Sequence, residues 1–370
     1  MLENLISRRP FLKTAIGAGL ASALVKGQEE AAPKAEGKKL GWALVGLSSL
    51  SESKIAPALL KTKHSRLTGI VTGTPEKAEA WSKKYGIKES GIYNYENFDE
   101  IINNPEVDVV YIVLPNSMHK EFTLRGAKAG KHVFCEKPMA VSPQESRDMI
   151  AACEAANVKL GMGYRLQFEP HHVEAIRFAR EKVFGEVRHI DAGFGFKMRS
   201  ADGWRLNKAL GGGALLDVGV YAIQGARYIM GEEPVIVSAL ETKTDKEMFA
   251  EVDETIQIQM QFASGKTANL FTTFNLGGYN QLTAFAEKGR FGLNSAFGTQ
   301  GQSGWTSDPK IPLSYPKTDH FEVQMDLFSQ AIIEGKEWTV DGTEGLRDQL
   351  VMDAVFKSIA TGAPVEVEKV

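Results

Sequence analysis

Cysteine is almost missing from this chain: Cys135 and Cys153 are the only two, and their spacing fits neither a zinc site nor a redox CxxC pair. Both read as buried thiols. Charge of one sign is missing too, since 43 basic side chains face 46 acidic ones for a net charge of −3. Nothing in that balance calls for nucleic acid or an anionic membrane surface. After residue 38 no apolar run approaches the ~20 residues that span a bilayer, so no membrane partner is expected. The adjacent pair His171-His172 points outward in directions roughly 100° apart on a helix and cannot share an ion, so no metal is expected. What remains is 370 residues, 43% of them apolar, enough for two folded units acting on a small uncharged molecule.

The first forty residues read as an address. Arg8-Arg9-Pro10-Phe11-Leu12-Lys13 precedes an uncharged apolar or small stretch, Thr14 to Val25, which shows no polar face. A polar segment from Lys26 to Lys39 follows. This order is that of a secretory signal, and the paired arginines resemble a twin-arginine export signal, whose route carries proteins already folded around their cofactors. Residues 1–39 are therefore expected to be signal and flexible arm, and the protein to be periplasmic or otherwise exported.

From Leu40 the pattern is strand, tight turn, helix: Leu40–Val45, then Gly46-Leu47-Ser48-Ser49-Leu50-Ser51, then a helical stretch through Ile55 and Leu60. Two of the three glycines of a dinucleotide fingerprint are missing; Gly46 stands alone, with Ser48 and Ser51 as small substitutes. Strands at 67–71, 107–113, 132–134 and 159–161 alternate with helices at 75–85, 120–129 and 143–156. That alternation predicts a doubly wound parallel sheet, a Rossmann domain over residues 40–162, with its crevice at the carboxyl ends of the strands. An acid after the second strand is missing as well. Ile70-Val71 runs into Thr72-Gly73-Thr74, where an NAD enzyme usually carries a carboxylate for the ribose. Thr72 and Thr74 can hydrogen-bond a 2′-phosphate and Lys77 can add charge at the next helix N-terminus, so NADP is the expected cofactor; as turn, cap and solvated residues all three also have ordinary uses.

Tyr111-Ile112-Val113-Leu114-Pro115-Asn116-Ser117-Met118-His119, then Ala127 to Ala140 with Glu136-Lys137-Pro138 inside it, then Gly163-Tyr164-Arg165, Gly211 to Tyr221 and Gly345-Leu346-Arg347-Asp348 follow in order. Over most of residues 40–370 the chain resembles the glucose-fructose oxidoreductase/inositol dehydrogenase (Gfo/Idh/MocA) family. The tyrosine at 221, where many relatives carry histidine, the threonines after the second strand and the export signal are similar to the glucose-fructose oxidoreductase branch. The resemblance implies Gly46, Ser48, Ser49, Leu50, Leu114, Pro115, Asn116, His119, Glu136, Lys137 and Arg165 as cofactor-binding candidates, and Tyr164 with Arg165 as a pair at the site edge that binds substrate hydroxyls. It also implies a dimer or tetramer built on the second domain's sheet.

The residue chemistry agrees. Asn116, His119 and Glu136-Lys137-Pro138 follow strand ends and face the crevice; the Lys137 ammonium can hydrogen-bond a reacting sugar oxygen and favour ionisation of a nearby phenol. Glu136 holds either Lys137 or a ribose hydroxyl, or is structural; His119 lines the site or caps its helix. Beyond residue 162, one helix near 170–181 and strands at 187–196, 235–242, 254–262, 267–274 and 281–286 predict an α+β domain, residues 163–370, on a large, mostly antiparallel sheet. A helix after Gly211-Gly212-Gly213 sets Asp217 and Tyr221 at i and i+4 on one face. A phenol titrates near 10 unaided, so Tyr221 as acid-base needs help from Lys137, with Asp217 orienting the lysine or the substrate. Lys197, Arg199, Trp204 and Arg205 are weaker candidates for sugar contacts. Three functions compete: a sugar oxidoreductase cycling a captive NADP between two sugars, an ordinary NADP-dependent sugar dehydrogenase that releases NADPH, and a redox-assisted glycoside hydrolase, whose relatives usually lack the Lys137 lysine. A non-catalytic sensor has no feature of its own in the sequence.

Overall fold

The computed structural model describes residues 37–199 and 203–370. The expected export signal and nearly all of the arm lie outside the described residues.

Short, continuously apolar runs need cover on both faces, and the N-terminal strands receive it. Strands β1 (Leu40–Val45), β2 (Ser65–Val71), β3 (Ile92–Tyr93), β4 (Val109–Ile112), β5 (His132–Cys135) and β6 (Leu160–Met162) form one sheet in the order β3-β2-β1-β4-β5-β6. Every pairing in it is parallel. All six residues of β1 are buried. Between its strands run α1 (Ala56–Leu59), α2 (Pro75–Tyr85), α3 (His119–Lys128) and α4 (Pro143–Ala155). Prolines open α2 and α4, where no hydrogen bond is lost. Ser142 caps α4 by accepting from the Glu145 N–H at 3.3 Å, and α2 stops at Gly86 with φ 68°. The strand order reverses at β1 and β4, so the crevice opens beyond their carboxyl ends.

After α5 (Pro170–Arg180) the period changes to two. Strands β7 (Val187–Gly195), β8 (Pro234–Thr242), β9 (Thr255–Phe262), β10 (Thr267–Thr273), β11 (Tyr279–Ala286), β12 (Gly289–Asn294), β13 (Ser303–Thr306) and β14 (Val365–Glu366) form the second sheet, order β13-β12-β11-β7-β10-β9-β8-β14. It is antiparallel except where β7 meets β10. In β9, Ile256, Ile258, Met260 and Phe262 are buried while Gln257, Gln259 and Gln261 are exposed, the alternation expected of a half-covered strand. Helices α5, α6 (Val220–Met230) and α8 (Gly342–Thr361) cover the buried face.

The sequence pattern left α7 (His320–Ile333) and α8 unassigned, and α7 does something its position in the chain does not announce: it returns to the first sheet. Phe328 packs on Trp42 and Phe134, with ring centres 6.0 and 5.0 Å away. Trp42 Nε1 donates to Ser329 Oγ at 2.9 Å, and the N–H groups of Lys63 and His64 both donate to Asp326. The buried aromatic pairs each add about 1 kcal/mol beyond the area they cover. Among the described residues no helix is long and apolar enough to cross a membrane.

Candidate active site

The turn after β1 is built around Gly46. Its φ is 96°, and a Cβ there would lie 2.5 Å from the Val113 carbonyl oxygen and 2.8 Å from the Leu114 side chain. Only glycine admits both the backbone and the close approach of the β4 end. Ser51 Oγ donates back to the Gly46 carbonyl at 2.7 Å, and Ser48 Oγ accepts from the Ser51 N–H at 3.2 Å, so the two serines brace the turn that missing glycines would have shaped. Ser49 and Leu50 open the helical stretch that continues as a π-turn, Ser51–Ile55. The first-turn N–H groups of a helix have no intrahelical acceptor, which makes this turn an anion terminus. Leu114 and Pro115 stand half-buried beside it.

Across the crevice mouth, Lys77 Nζ donates to the Leu47 carbonyl at 3.2 Å, tying the β2 loop to the β1 turn. Thr72 is buried, and its hydroxyl oxygen accepts from the Thr74 N–H at 3.2 Å. Thr72 therefore serves first as a turn brace, and exposed Thr74 and Lys77 are the groups turned outward. No carboxylate occupies residues 72–75. A tight glycine turn, a helix terminus and a cation without an acid at the β2 end together fit a phosphorylated dinucleotide.

Lys137, at the carboxyl end of β5, is joined to Pro138 by a cis peptide. Its ammonium donates to the Asp217 carbonyl at 2.5 Å, lies 3.4 Å from Asp217 Oδ1, and sits 4.7 Å from the centre of the Tyr221 ring. Asp217 also accepts from Arg205 Nε at 2.6 Å. Burial works to raise the Asp217 pKa, but the two cations outweigh it and hold the carboxyl below its ordinary value. Asp217 and Tyr221 do share a face, as expected, but the chain between them is a π-turn, Leu215–Gly219, running into α6. Such turns collect at functional sites. The Asp253 carboxylate accepts from the Leu215 N–H at 2.7 Å and anchors this turn.

Three expected site residues are buried. Tyr164 is 1% exposed and lies in the first core, its hydroxyl buried near Asp348. His119 is fully buried, its ring nitrogens each 2.9 Å from a carbonyl oxygen, of Pro138 and of Leu114. Burial lowers its pKa against the pull of those carbonyls, and with a single N–H the neutral ring can donate to only one of them. Arg165, expected to bind cofactor and substrate, is 3% exposed and gives its donors to the Phe297 and Gly298 carbonyls. Asn116 is also buried; it donates to the Gly211 carbonyl at 2.8 Å and fastens the triple-glycine segment to the first domain. Glu136 accepts from the Tyr111 hydroxyl at 2.6 Å and from the Lys137 N–H at 3.2 Å, which makes it a support of the lysine turn. Burial raises its pKa against the opposing effect of Tyr111, Lys137 and Arg165.

Residues 40–164 match the family model described as "Oxidoreductase family, NAD-binding Rossmann fold", and residues 172–292 match the GFO/IDH/MocA C-terminal domain. The chain belongs to the Gfo/Idh/MocA oxidoreductase family. It is 27% identical to D-xylose 1-dehydrogenase (NADP(+)) 2 of Haloferax volcanii, over 88% of this chain and 99% of that protein. It is also 27% identical to 1,5-anhydro-D-fructose reductase of Ensifer adhaerens, over 88% of this chain and 98% of that one. Among solved structures, an aldose-aldose oxidoreductase from Caulobacter crescentus, complexed with glycerol, shares 41% identity and a TM-score of 0.86, covering 89% of this chain and 100% of that one.

Within this Gfo/Idh/MocA oxidoreductase, Arg205, a weak candidate in the sequence, proves to be the second cation on Asp217. Its neighbours are less committed: Trp204 is half-buried beneath the Arg205 guanidinium, and Lys197 and Arg199 are exposed. Phe297 and Asp253 were missed altogether. Phe297 stacks on Tyr221 with ring centres 6.3 Å apart and planes 20° from parallel. No local motif marks either residue, because each reaches the site from a strand-connecting loop. His171 and His172 take separate partners, Glu169 and the Ala296 carbonyl, and among the described residues no group of three or more His, Cys, Asp or Glu is placed to hold a metal.

Proposed function

We propose that this enzyme is an exported sugar oxidoreductase that passes hydride between an aldose or polyol and a tightly held NADP(H), then reduces a second sugar in the same site. One observation carries the reading: a lysine ammonium held by Asp217 lies 4.7 Å from the ring centre of Tyr221, the pairing of cation and phenol that alcohol–carbonyl interconversion needs. Bound nicotinamide supplies the hydride acceptor and donor. Tyr221 takes the proton from the hydroxyl being oxidised and returns one to the carbonyl being reduced. Lys137 donates to the reacting oxygen, where negative charge grows as the proton leaves. Asp217, shared with Arg205, holds the ammonium in place.

The choice of sugars is supported by the relatives named for D-xylose and 1,5-anhydro-D-fructose and by the structure named for an aldose-aldose oxidoreductase. NADP over NAD is supported by exposed Thr74 and Lys77 and by the lack of a carboxylate at residues 72–75, and the Haloferax relative carries NADP(+) in its name. Export rests on Arg8-Arg9 and the apolar stretch to Val25. Outside the cytoplasm a dissociating coenzyme would be lost, so one cofactor must be reduced and reoxidised without leaving.

The test mixes purified enzyme, without added coenzyme, with an aldose and then with a ketose or second aldose. Reduced-nicotinamide absorbance should rise once, in proportion to enzyme, and fall when the acceptor arrives. A protein that purifies empty and turns over only with added NADP is instead an ordinary NADP-dependent dehydrogenase.

A further inference from the structure

Arg165 is a buried cation with an unusual set of partners. Its Nη1 donates to the Gly298 carbonyl at 2.7 Å and lies 3.1 Å from His320 Nε2, and its Nη2 donates to the Phe297 carbonyl at 2.8 Å. Among the described residues it has no carboxylate within ion-pairing distance, although Glu136 is near enough to feel its charge. A buried guanidinium that forgoes a carboxylate is costly to keep, and its contacts show what it holds. The two carbonyls belong to the turn that carries Phe297, and the Phe297 ring is stacked on Tyr221. The guanidinium itself lies 5.0 Å from the Tyr221 ring centre. Other bonds fix the same segment: Asn280 Oδ1 accepts from the Phe297 N–H at 2.7 Å, and the Ala296 carbonyl lies 2.7 Å from His172 Nε2.

We infer that Arg165 is a positioning residue for proton transfer: by clamping the 297–298 turn it sets the Phe297 ring, and with it the tilt of the Tyr221 phenol toward the reacting oxygen. This rests on the acid-base role proposed for Tyr221. Lys137 holds Tyr221 from the cofactor half of the site, and Arg165 sets it from the substrate half. A merely structural arginine would alter folding or loading; a positioning one alters how well the proton is aligned when hydride moves.

The experiment is single-turnover reduction of the bound cofactor by an aldose, followed by absorbance in H2O and D2O, for Arg165→Lys and Arg165→Met, together with a crystal structure of Arg165→Lys. Misplacing a reacting group by about 1 Å costs up to ~100-fold in rate. The expected result is hydride transfer slowed at least about tenfold, with sugar KM and cofactor content nearly unchanged, a larger solvent isotope effect, and a milder defect in Arg165→Lys than in Arg165→Met. The crystal structure, which needs no substrate, should show the 297–298 turn and the Tyr221 ring displaced. An unmoved ring, or an unchanged isotope effect with the loss confined to KM or cofactor content, overturns the proposal. If both arginine variants fail to fold, Phe297→Leu, which spares the guanidinium's bonds, must raise the isotope effect, and a parental value overturns the proposal equally. A parent enzyme that never reduces its cofactor counts against the sugar-oxidoreductase reading alone, because the displaced ring is judged independently.

Discussion

Tyr221 and Lys137 differ in what their removal leaves behind. Tyr221→Phe keeps the ring that stacks on Phe297 and deletes only the hydroxyl, whereas Lys137→Ala leaves Asp217 paired with Arg205 alone. Each variant should fold and retain cofactor, and each should slow single-turnover hydride transfer by about a hundredfold or more, the range for lost acid-base or oxyanion help. Stopped-flow absorbance with one sugar measures this, and a rate within a few-fold of the parent removes that residue from the chemistry. Lys77 is tested separately. Its ammonium reaches from α2 to the Leu47 carbonyl, beside the turn proposed to take the dinucleotide. Lys77→Glu reverses that charge and should shift the ratio of NADP to NAD affinity at least about tenfold toward NAD, equivalent to about 1.4 kcal/mol. Competitive loading of apoprotein reads the ratio directly.

At the scale of single elements, what the sequence conveyed and what it hid divide along contact range. Alternation of strand and helix, the turn at Gly46 and the i, i+4 pairing of Asp217 with Tyr221 are local patterns, and each stands where its pattern put it. Burial is not local. Tyr164 and His119 sit in motifs that read as site residues, yet the first is enclosed with Asp348 and the second by the Pro138 and Leu114 carbonyls. The π-turn at 215–219 has no signature in its own residues either; its anchor is Asp253, contributed by the stretch just before β9. That anchor has a pH consequence. Burial pushes the Asp253 pKa up to about 6, above its ordinary value, so the native state binds this proton more tightly than the unfolded chain does. The stabilisation is complete at low pH and is lost as pH rises through the window ending near 6. Asp253→Asn should therefore gain on the parent with rising pH: the difference in Tm, variant minus parent, is expected to be a few degrees more positive at pH 7 than at pH 4, by calorimetry at both values. A difference independent of pH would mean that Asp253 does not carry this proton.

The whole molecule is two sheets fastened through α7 and the Asn116–Gly211 bond, so the site lies where residues from both halves meet. The second sheet keeps one face free of those helices. Register places Ser238 and Leu240 of β8, Gln257 and Gln259 of β9, Asn269 and Phe271 of β10, and Asp191 of β7 side by side on it. These residues line one shallow concavity, and Leu240 is 60% exposed within it. A broad, mixed polar and apolar sheet face of this kind is expected to pair with its counterpart in a second copy, across a self-complementary two-fold interface. Such a pairing would bury Leu240 between the copies, where a carboxylate would have to be desolvated. Leu240→Asp should then leave the Tm of the isolated chain within a degree or two, because the side chain is exposed there, while reducing the mass in solution from that of an oligomer to that of one chain. Light scattering at matched concentration distinguishes the two. If the parent is already a single chain, or if the variant keeps the parent's mass, this face is not an interface between copies.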